Sequence, residues 1–467
     1  MYKTYDTKAL MEAWSPILDA DGERQIKDPY RRKTTAILLE NTRREVGMAA
    51  SMGNPQQFLS EAPIPANFMG GSSSTPGAGG IDTFDPILIS MVRRTAPNMI
   101  AYDIAGVQPL QGPTGLVFAL RPTFSNQVGT ELWYNEVDTS RSTIATNANT
   151  AGNKFVGYLP GNNTVSANIA ETGLYNWAGG MSTAQGEALG TDSNSAWPEV
   201  SFTIDRNTVN VKERNLKGEY TIQIAQDMKA VHGLDADQEL STIISTELLA
   251  EINREVVRTI NFTAKQGSQE NTTTAGFFDL DTDSNGRWSV EKFKGMMFHI
   301  TRECNRIGKE TRRGIGNIMV CSSDVASALQ AAGDLDYTPA IANALNGDVD
   351  DTGNTFVGVL RGKIKVFIDP YADSILAGSP GLNYFTVGYK GPNPYDAGII
   401  YSPYVPLQRV TATDPGSFHP KIGYMTRYGI SANPFAQAGT TGAPSNQGVI
   451  LKDSNCYYRR TLVKNLM

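Results

Sequence analysis

Cysteine, histidine, charge and long apolar runs are what this chain has least of. Its 467 residues hold three cysteines and three histidines. Cys304, Cys321 and Cys456 lie far apart without C-x-x-C spacing, which indicates neither a disulfide framework nor a thiolate zinc site. With only His232, His299 and His419 available, acid–base or metal chemistry built on imidazole has little material. No G-x-S-x-G or H-E-x-x-H run occurs, so neither an enzyme nor a resident metal or cofactor is expected. No stretch approaches the eighteen apolar residues of a membrane span. The opening MYKTYDTKALMEAWSPIL has no signal-type apolar core, so a reducing cytosol is the expected place of synthesis and folding. Charged residues make up 19% of the chain and the net charge is −6, which argues against binding duplex DNA by phosphate neutralisation. Low charge with abundant Gly, Pro, Asn, Ser and Thr suits a surface largely buried against neighbours, a balance that a single loop-rich monomer shares.

What is present is organised around one stretch. Asp235 stands as an N-cap with Gln238 three residues on, a capping-box pattern. Leu240, Ile243, Ile244, Leu248, Ile252, Val256 and Ile260 then recur three to four apart, predicting a helix over 236–265 with one apolar stripe. Glu251, Arg254, Glu255 and Arg258 lie off that stripe with opposite charges at helical spacing. A helix of this length with one apolar face needs a partner along all of it, as a spine would.

Before the spine, residues 1–61 form a distinct segment. Nine basic and nine acidic residues balance in it, and Thr35 to Ala50 is expected to be helical. Arg31, Arg32 and Lys33, with Arg43 and Arg44, read most simply as a solvated helical face. A Gly/Ser tract follows at 70–80, preceded by Leu59-Ser60-Glu61-Ala62, where a protease finds extended backbone to grip. Asp85-Pro86 opens a short helix that closes before Pro97. Residues 141–197 are rich in Asn, Gly, Thr, Ser and Ala and contain Phe155 to Leu159 and Trp177, an insert too long for a simple connection. Strands are expected around it, at 200–204, 209–211 and 220–222, each alternating apolar and polar. After the spine come an amphipathic helix (289–308), a buried strand (318–321), a Ser-capped helix (324–332), a hairpin around Arg361-Gly362-Lys363, and strands at 384–389 and 398–401. Helices and strands interleaved this way predict an α+β body.

Two motifs tempt and fail. Asp281-Thr282-Asp283-Ser284-Asn285-Gly286 opens like an EF-hand loop, but position twelve, which needs a bidentate glutamate, is Lys292. A polar turn is the better reading. Gly358 to Lys363 imitates a phosphate loop with its glycines one residue too close and Ile364 in place of Ser/Thr.

Several long stretches carry a resemblance. AQDMKAVHGLDA (225–236), EINREVV (251–257), DIAGVQPLQGPTGLVFA (103–119), YSPYVP (401–406) and MTRYG (425–429) resemble, in order, the major capsid proteins of T-even-type myophages. That resemblance implies a Hong Kong 97-like fold. Its expected parts are a cleaved propeptide (1–61), an N-arm (62–113) and an extended loop (114–222) with an insertion domain (141–197). A peripheral domain with the spine helix (223–295), an axial domain (296–425) and a C-terminal return (426–467) complete them. It implies a head protein precursor that assembles into hexameric capsomers of a procapsid over a scaffold. Cleavage by a prohead protease after Glu61, in the Leu59-Ser60-Glu61 context and before Ala62, would precede expansion of the shell around DNA. The implied partners are copies of itself, a scaffolding protein, the protease and a vertex protein, with room for decoration proteins; nucleic-acid sequence and membranes are not among them. The implied destination is the virion, after assembly in the host cytoplasm. The nearest alternative is the related pentameric vertex protein, and one from another class is a calcium-dependent binding or adhesion protein.

Overall fold

The computed structural model describes residues 7–19, 26, 28–51, 99–127, 129, 132, 142, 183–190, 197–269, 272–284, 286, 288–333, 335–336, 355–372, 383–393, 396–414, 416, 418–437 and 450–466. In chain order its elements begin with α1 (Thr7–Leu18), α2 (Pro29–Ser51), α3 (Ala101–Ile104), β1 (Gly106–Val107), β2 (Thr114–Phe124) and α4 (Thr183–Glu187). Next come β3 (Val200–Asn210), β4 (Lys212–Glu219), α5 (Ile222–Asp227), a π turn (Met228–His232), the spine helix α6 (Ala236–Thr263), β5 (Ala264–Gln266) and β6 (Phe277–Asp279). The chain continues with α7 (Ser289–Thr311), β7 (Ile318–Cys321), α8 (Ser323–Ala331), β8 (Leu335–Asp336), β9 (Thr355–Leu360) and β10 (Ile364–Ile368). It closes with β11 (Asn383–Gly388), β12 (Ile399–Thr413), β13 (Pro420–Ala432) and β14 (Asn455–Lys464).

The chain divides into two compact units. One holds Met1–Val117, Asn207–Gln437 and Gly442–Met467; the other holds Phe118–Arg206 with Ala438–Thr441. In the larger unit a four-stranded sheet runs β1-β12-β13-β4, and an eight-stranded one runs β5-β14-β11-β7-β10-β9-β8 with β6 beside β14. β2 and β3 form a separate two-stranded ribbon. The expected hairpin is β9–β10, turning through Arg361 and Gly362 at φ 48° and 67°, the left-handed pair a tight hairpin needs.

At about 1.5 Å per residue the 28 residues of α6 reach about 42 Å. Its stripe is mostly as expected: Ile244, Leu248, Ile252, Val256 and Ile260 are buried, while Ile243 is 63% exposed. Leu249 and Val257 widen the buried face, and the Asp235 carboxylate accepts the Asp237 N–H at 3.0 Å, one residue earlier than a capping box places it. The helix stops at Thr263 because residues 264–266 pair with β14. Residues 220–222 are not a strand: Thr221 caps α5 by accepting the Ile224 N–H at 3.3 Å. Ser322 occupies the N-cap of α8 without a side-chain cap bond; its hydroxyl donates to Asn383 instead.

The N-terminal helices are not a solvated appendage. Thr34 to Leu39 are six consecutive buried positions, so α2 is enclosed on all sides there. Leu10, Trp14 and Leu18 of α1 and Ala36, Ile37 and Leu39 of α2 form one apolar cluster with Ile244 and Leu248 of α6. Leu407, Ile422 and Tyr424 of the four-stranded sheet complete it. Arg31 and Arg32 are paired, with Asp103 and Asp19, each at 2.6 Å.

Candidate assembly surfaces

The spine is fixed to both sheets by charge. Arg214 on β4 reaches Glu251 and Glu255 at 2.6 Å each, and its Nε lies 2.5 Å from the Tyr428 hydroxyl of β13. Burial works against the charge on Arg214, but the bonds from Glu255 and Tyr428 outweigh it and hold the guanidinium above its ordinary value. Farther along, Arg254 meets Asp369, just after β10, at 2.5 Å and lies over the Tyr371 ring at 4.8 Å. Asp369 also accepts from the Tyr384 hydroxyl at 2.6 Å. Of the charges expected to pair along the helix, Glu251, Arg254 and Glu255 therefore reach across to other elements.

Ser268, His299 and Glu303 come together in a way that superficially suggests a nucleophile triad. Ser268 Oγ lies 2.6 Å and Glu303 Oε1 3.8 Å from the same His299 nitrogen, Nε2, so no relay through the ring exists. All three residues are buried, Phe278 stacks on the imidazole at 4.8 Å, and Arg459 holds Glu303 at 3.1 Å. Burial lowers the His299 pKa while Glu303 opposes it. This is an internal polar core. His232 sits exposed in the π turn.

The calcium-like loop supplies its own cation. The Lys292 ammonium, from position twelve, lies 2.5 Å from Asp281 Oδ1. Asp283 accepts the Thr273 N–H and hydroxyl at 2.8 Å each and the Asp279 N–H at 3.0 Å. Its carboxyl pKa is lowered, with burial opposing and those backbone bonds prevailing. Asn285 lies outside the described residues, and no cluster of acidic, histidine or cysteine ligands is found among the described ones. Gly358 to Lys363 is strand and turn of the hairpin, without a following helix.

Leu59, Glu61 and Ala62 lie outside the described residues, as do the 70–80 tract, the 85–97 helix, and Phe155 to Leu159 and Trp177 of the insert. The described residues do expose several large apolar side chains. Ser125 N–H donates to Glu199 O at 2.9 Å and Val211 N–H to Pro113 O at 3.1 Å, so both ends of the β2–β3 ribbon share one antiparallel register. That register sets Leu120 opposite Ile204, and Phe118, Val200 and Phe202 fall on the same face. Phe118, Val200, Phe202 and Ile204 are each more than 60% exposed. A second group, Ile222, Ile224, Val231, Leu234 and Ile243, lies exposed around the start of the spine. An apolar ribbon face left bare on an isolated chain marks contact with another protein. Periodicity made the strands visible; only pairing shows that their apolar sides coincide.

Such a subunit belongs to the class that completes its surfaces by association. The model of the family described as "Major capsid protein Gp23" matches residues 81–463. The major capsid protein of Serratia phage KSP90 is 37% identical over 476 residues, covering all of both chains. That of Enterobacteria phage T4 is 34% identical over 536 residues, covering 99% of this chain and all of that one. The T4 capsid vertex protein is 28% identical over 262 residues, covering 53% of this chain and 56% of that one. Among solved structures, the capsid of Myoviridae phage XM1 aligns with 86% of this chain and all of its own at 10% identity and a TM-score of 0.36, so the assignment rests on sequence. The chain belongs to the Major capsid protein Gp23 family, the head-shell proteins of T4-like phages. It is a structural component of the virion capsid rather than an enzyme, and its mixed helices and sheets are the α+β architecture expected from its sequence.

Proposed function

We propose that the chain is a precursor that forms hexameric capsomers over an internal scaffold and is cut after Glu61 by a prohead protease. The shell then expands around the DNA. In this reading residues 1–61 are the propeptide, 62–113 the N-arm and 114–222 the extended loop, whose insertion domain spans about 141–197. Residues 223–295 are the peripheral domain, 296–425 the axial domain and 426–467 the return. The observation that carries the reading is the apolar ribbon face of β2 and β3, which suits a strand pair laid over a neighbouring subunit. Residues 1–61 would face inward and help bind scaffold. The site reading rests on Leu59-Ser60-Glu61-Ala62 standing between the N-terminal helices and the Gly/Ser tract.

The deciding experiment is intact mass on protein from particles and from the soluble fraction of infected cells. A particle-associated chain beginning at Ala62 supports processing at Glu61, and Glu61→Gln should then assemble but stay full length. Normal processing in that variant refutes the site. The vertex-protein alternative is weaker, since that relative matches about half of the chain; copy number per particle separates the two. The calcium-dependent alternative is disfavoured by the Lys292 ammonium on Asp281.

A further inference from the structure

Helices α1 and α2 precede the proposed cut, yet Leu10, Trp14, Leu18, Ala36, Ile37 and Leu39 are core of the larger unit. Beyond their apolar cluster, α2 carries a row of polar anchors that land on one short stretch. Arg31 pairs with Asp103 at 2.6 Å, and the Tyr30 hydroxyl donates to Val107 O. The buried Asn41 amide donates to Leu110 O at 2.7 Å and to Tyr404 O of β12 at 2.9 Å, so one side chain straddles the two segments. These segments are zipped together by backbone bonds beneath it: Gln108 N–H donates to Tyr401 O and Leu110 N–H to Pro403 O, both at 2.9 Å. Residues 103–110 lead straight into β2 and so form the root of the apolar ribbon.

Residues 100–104, which lead into that root, have anchors of their own in the body. Asn253 of the spine accepts the Ile100 N–H at 3.2 Å, and Tyr458 donates to Ile104 O at 2.9 Å. The second half of the root, 107–110, is held from above by α2. Beneath α2, Leu38, Tyr102 and Leu248 border a small, largely apolar cavity.

We propose that α2 is a removable latch, fastening residues 107–110 to β12 through Asn41 and Tyr30 until the chain is severed behind it. Its departure strips three carbonyls, those of Val107, Leu110 and Tyr404, of their side-chain donors and opens the underlying backbone bonds to water. The root of the ribbon then loosens while residues 100–104 stay fixed. This couples loss of the N-terminal segment to freedom of the ribbon, and it rests on the proposed processing after Glu61.

The test uses the full chain with residues 52–61 replaced by the recognition sequence of an exogenous site-specific protease, so that cutting does not depend on the phage enzyme. Amide exchange is followed before and after the cut. The expected result is release of the N-terminal fragment on gel filtration and at least tenfold faster exchange at Gln108 and Leu110. Exchange at Ile104, and at Val320 in β7, should be unchanged. A fragment that stays bound, or one that leaves with Gln108 and Leu110 still protected, overturns the latch. Asn41→Ala in the uncut chain gives a second reading: faster Leu110 exchange with unchanged circular dichroism supports the latch, and unchanged exchange refutes it. If Glu61 remains uncut in infected cells, the processing reading fails while the engineered cut still decides the latch.

Discussion

Replacing Arg254 by methionine tests how the spine helix is tied to the eight-stranded sheet. Asp369 has no exposed side-chain surface, and Arg254 at 2.5 Å is the cation that offsets its burial. Removing one partner of a buried pair costs about 3–5 kcal/mol, because the remaining charge is left uncompensated. Two features place this case at the lower end. Asp369 keeps donors from the Tyr384 hydroxyl at 2.6 Å and the Tyr371 N–H at 3.0 Å, and Arg254 is itself about a quarter exposed. Methionine retains the packing of the Arg254 stem but loses the cation–π contact with Tyr371, a further loss of about 0.5–1 kcal/mol. The expected destabilisation is about 3 kcal/mol, read as a lower urea midpoint for unassembled subunits with an unchanged slope. Asp369→Asn in the same background should recover part of it, since the amide carries no charge to strand. A loss below about 1 kcal/mol, or no coupling between the two substitutions, refutes the argument.

Other outcomes follow from the same structure. Burial keeps the His299 pKa below its ordinary value, so below about pH 6.5 the unfolded chain binds a proton that the folded chain resists. Stability should therefore fall on acidification from pH 7.5 to 5.5, and His299→Phe should flatten that fall in melting experiments; an unchanged slope contradicts it. Millimolar calcium or a chelator should leave the melting temperature of the chain unmoved, because Lys292 already occupies Asp281; a calcium-dependent rise refutes that reading. Phe202→Ser on the bare ribbon face should change subunit stability by no more than about 0.5 kcal/mol, as expected for an exposed position, yet block shell formation seen by electron microscopy. Shells of normal yield would show that this face is not an assembly surface.

Local pattern went a long way. The cap at Asp235 and a period near 3.6 suffice to place the spine helix, since a helix satisfies its own backbone bonds within four residues. The hairpin at Arg361-Gly362 and the buried strand at 318–321 were equally legible for the same reason of short range. β4 was not. Its sequence, KERNLKGE, is mostly charged, and it is a strand because β13 offers it eight backbone partners. The length of β12 was hidden too, since Pro403 and Pro406 argue against a strand interior; register shifts at Pro403 and again between Val405 and Gln408 accommodate them.

By itself, then, the sequence determined the elements whose cause is local and, through long ordered stretches, the family to which the chain belongs. The tertiary structure alone decided where charge and apolar surface end up. Asn41 finds Tyr404 363 residues away, and Arg214 finds Glu251 and Glu255 on another element. Arg31 and Arg32, which read as a solvated face, are half-buried and paired with Asp103 and Asp19, partners that lie outside their own helix. Side-chain period says which way a residue points along its own element. What waits there is set by closure of the chain over hundreds of residues, and no window of sequence contains it.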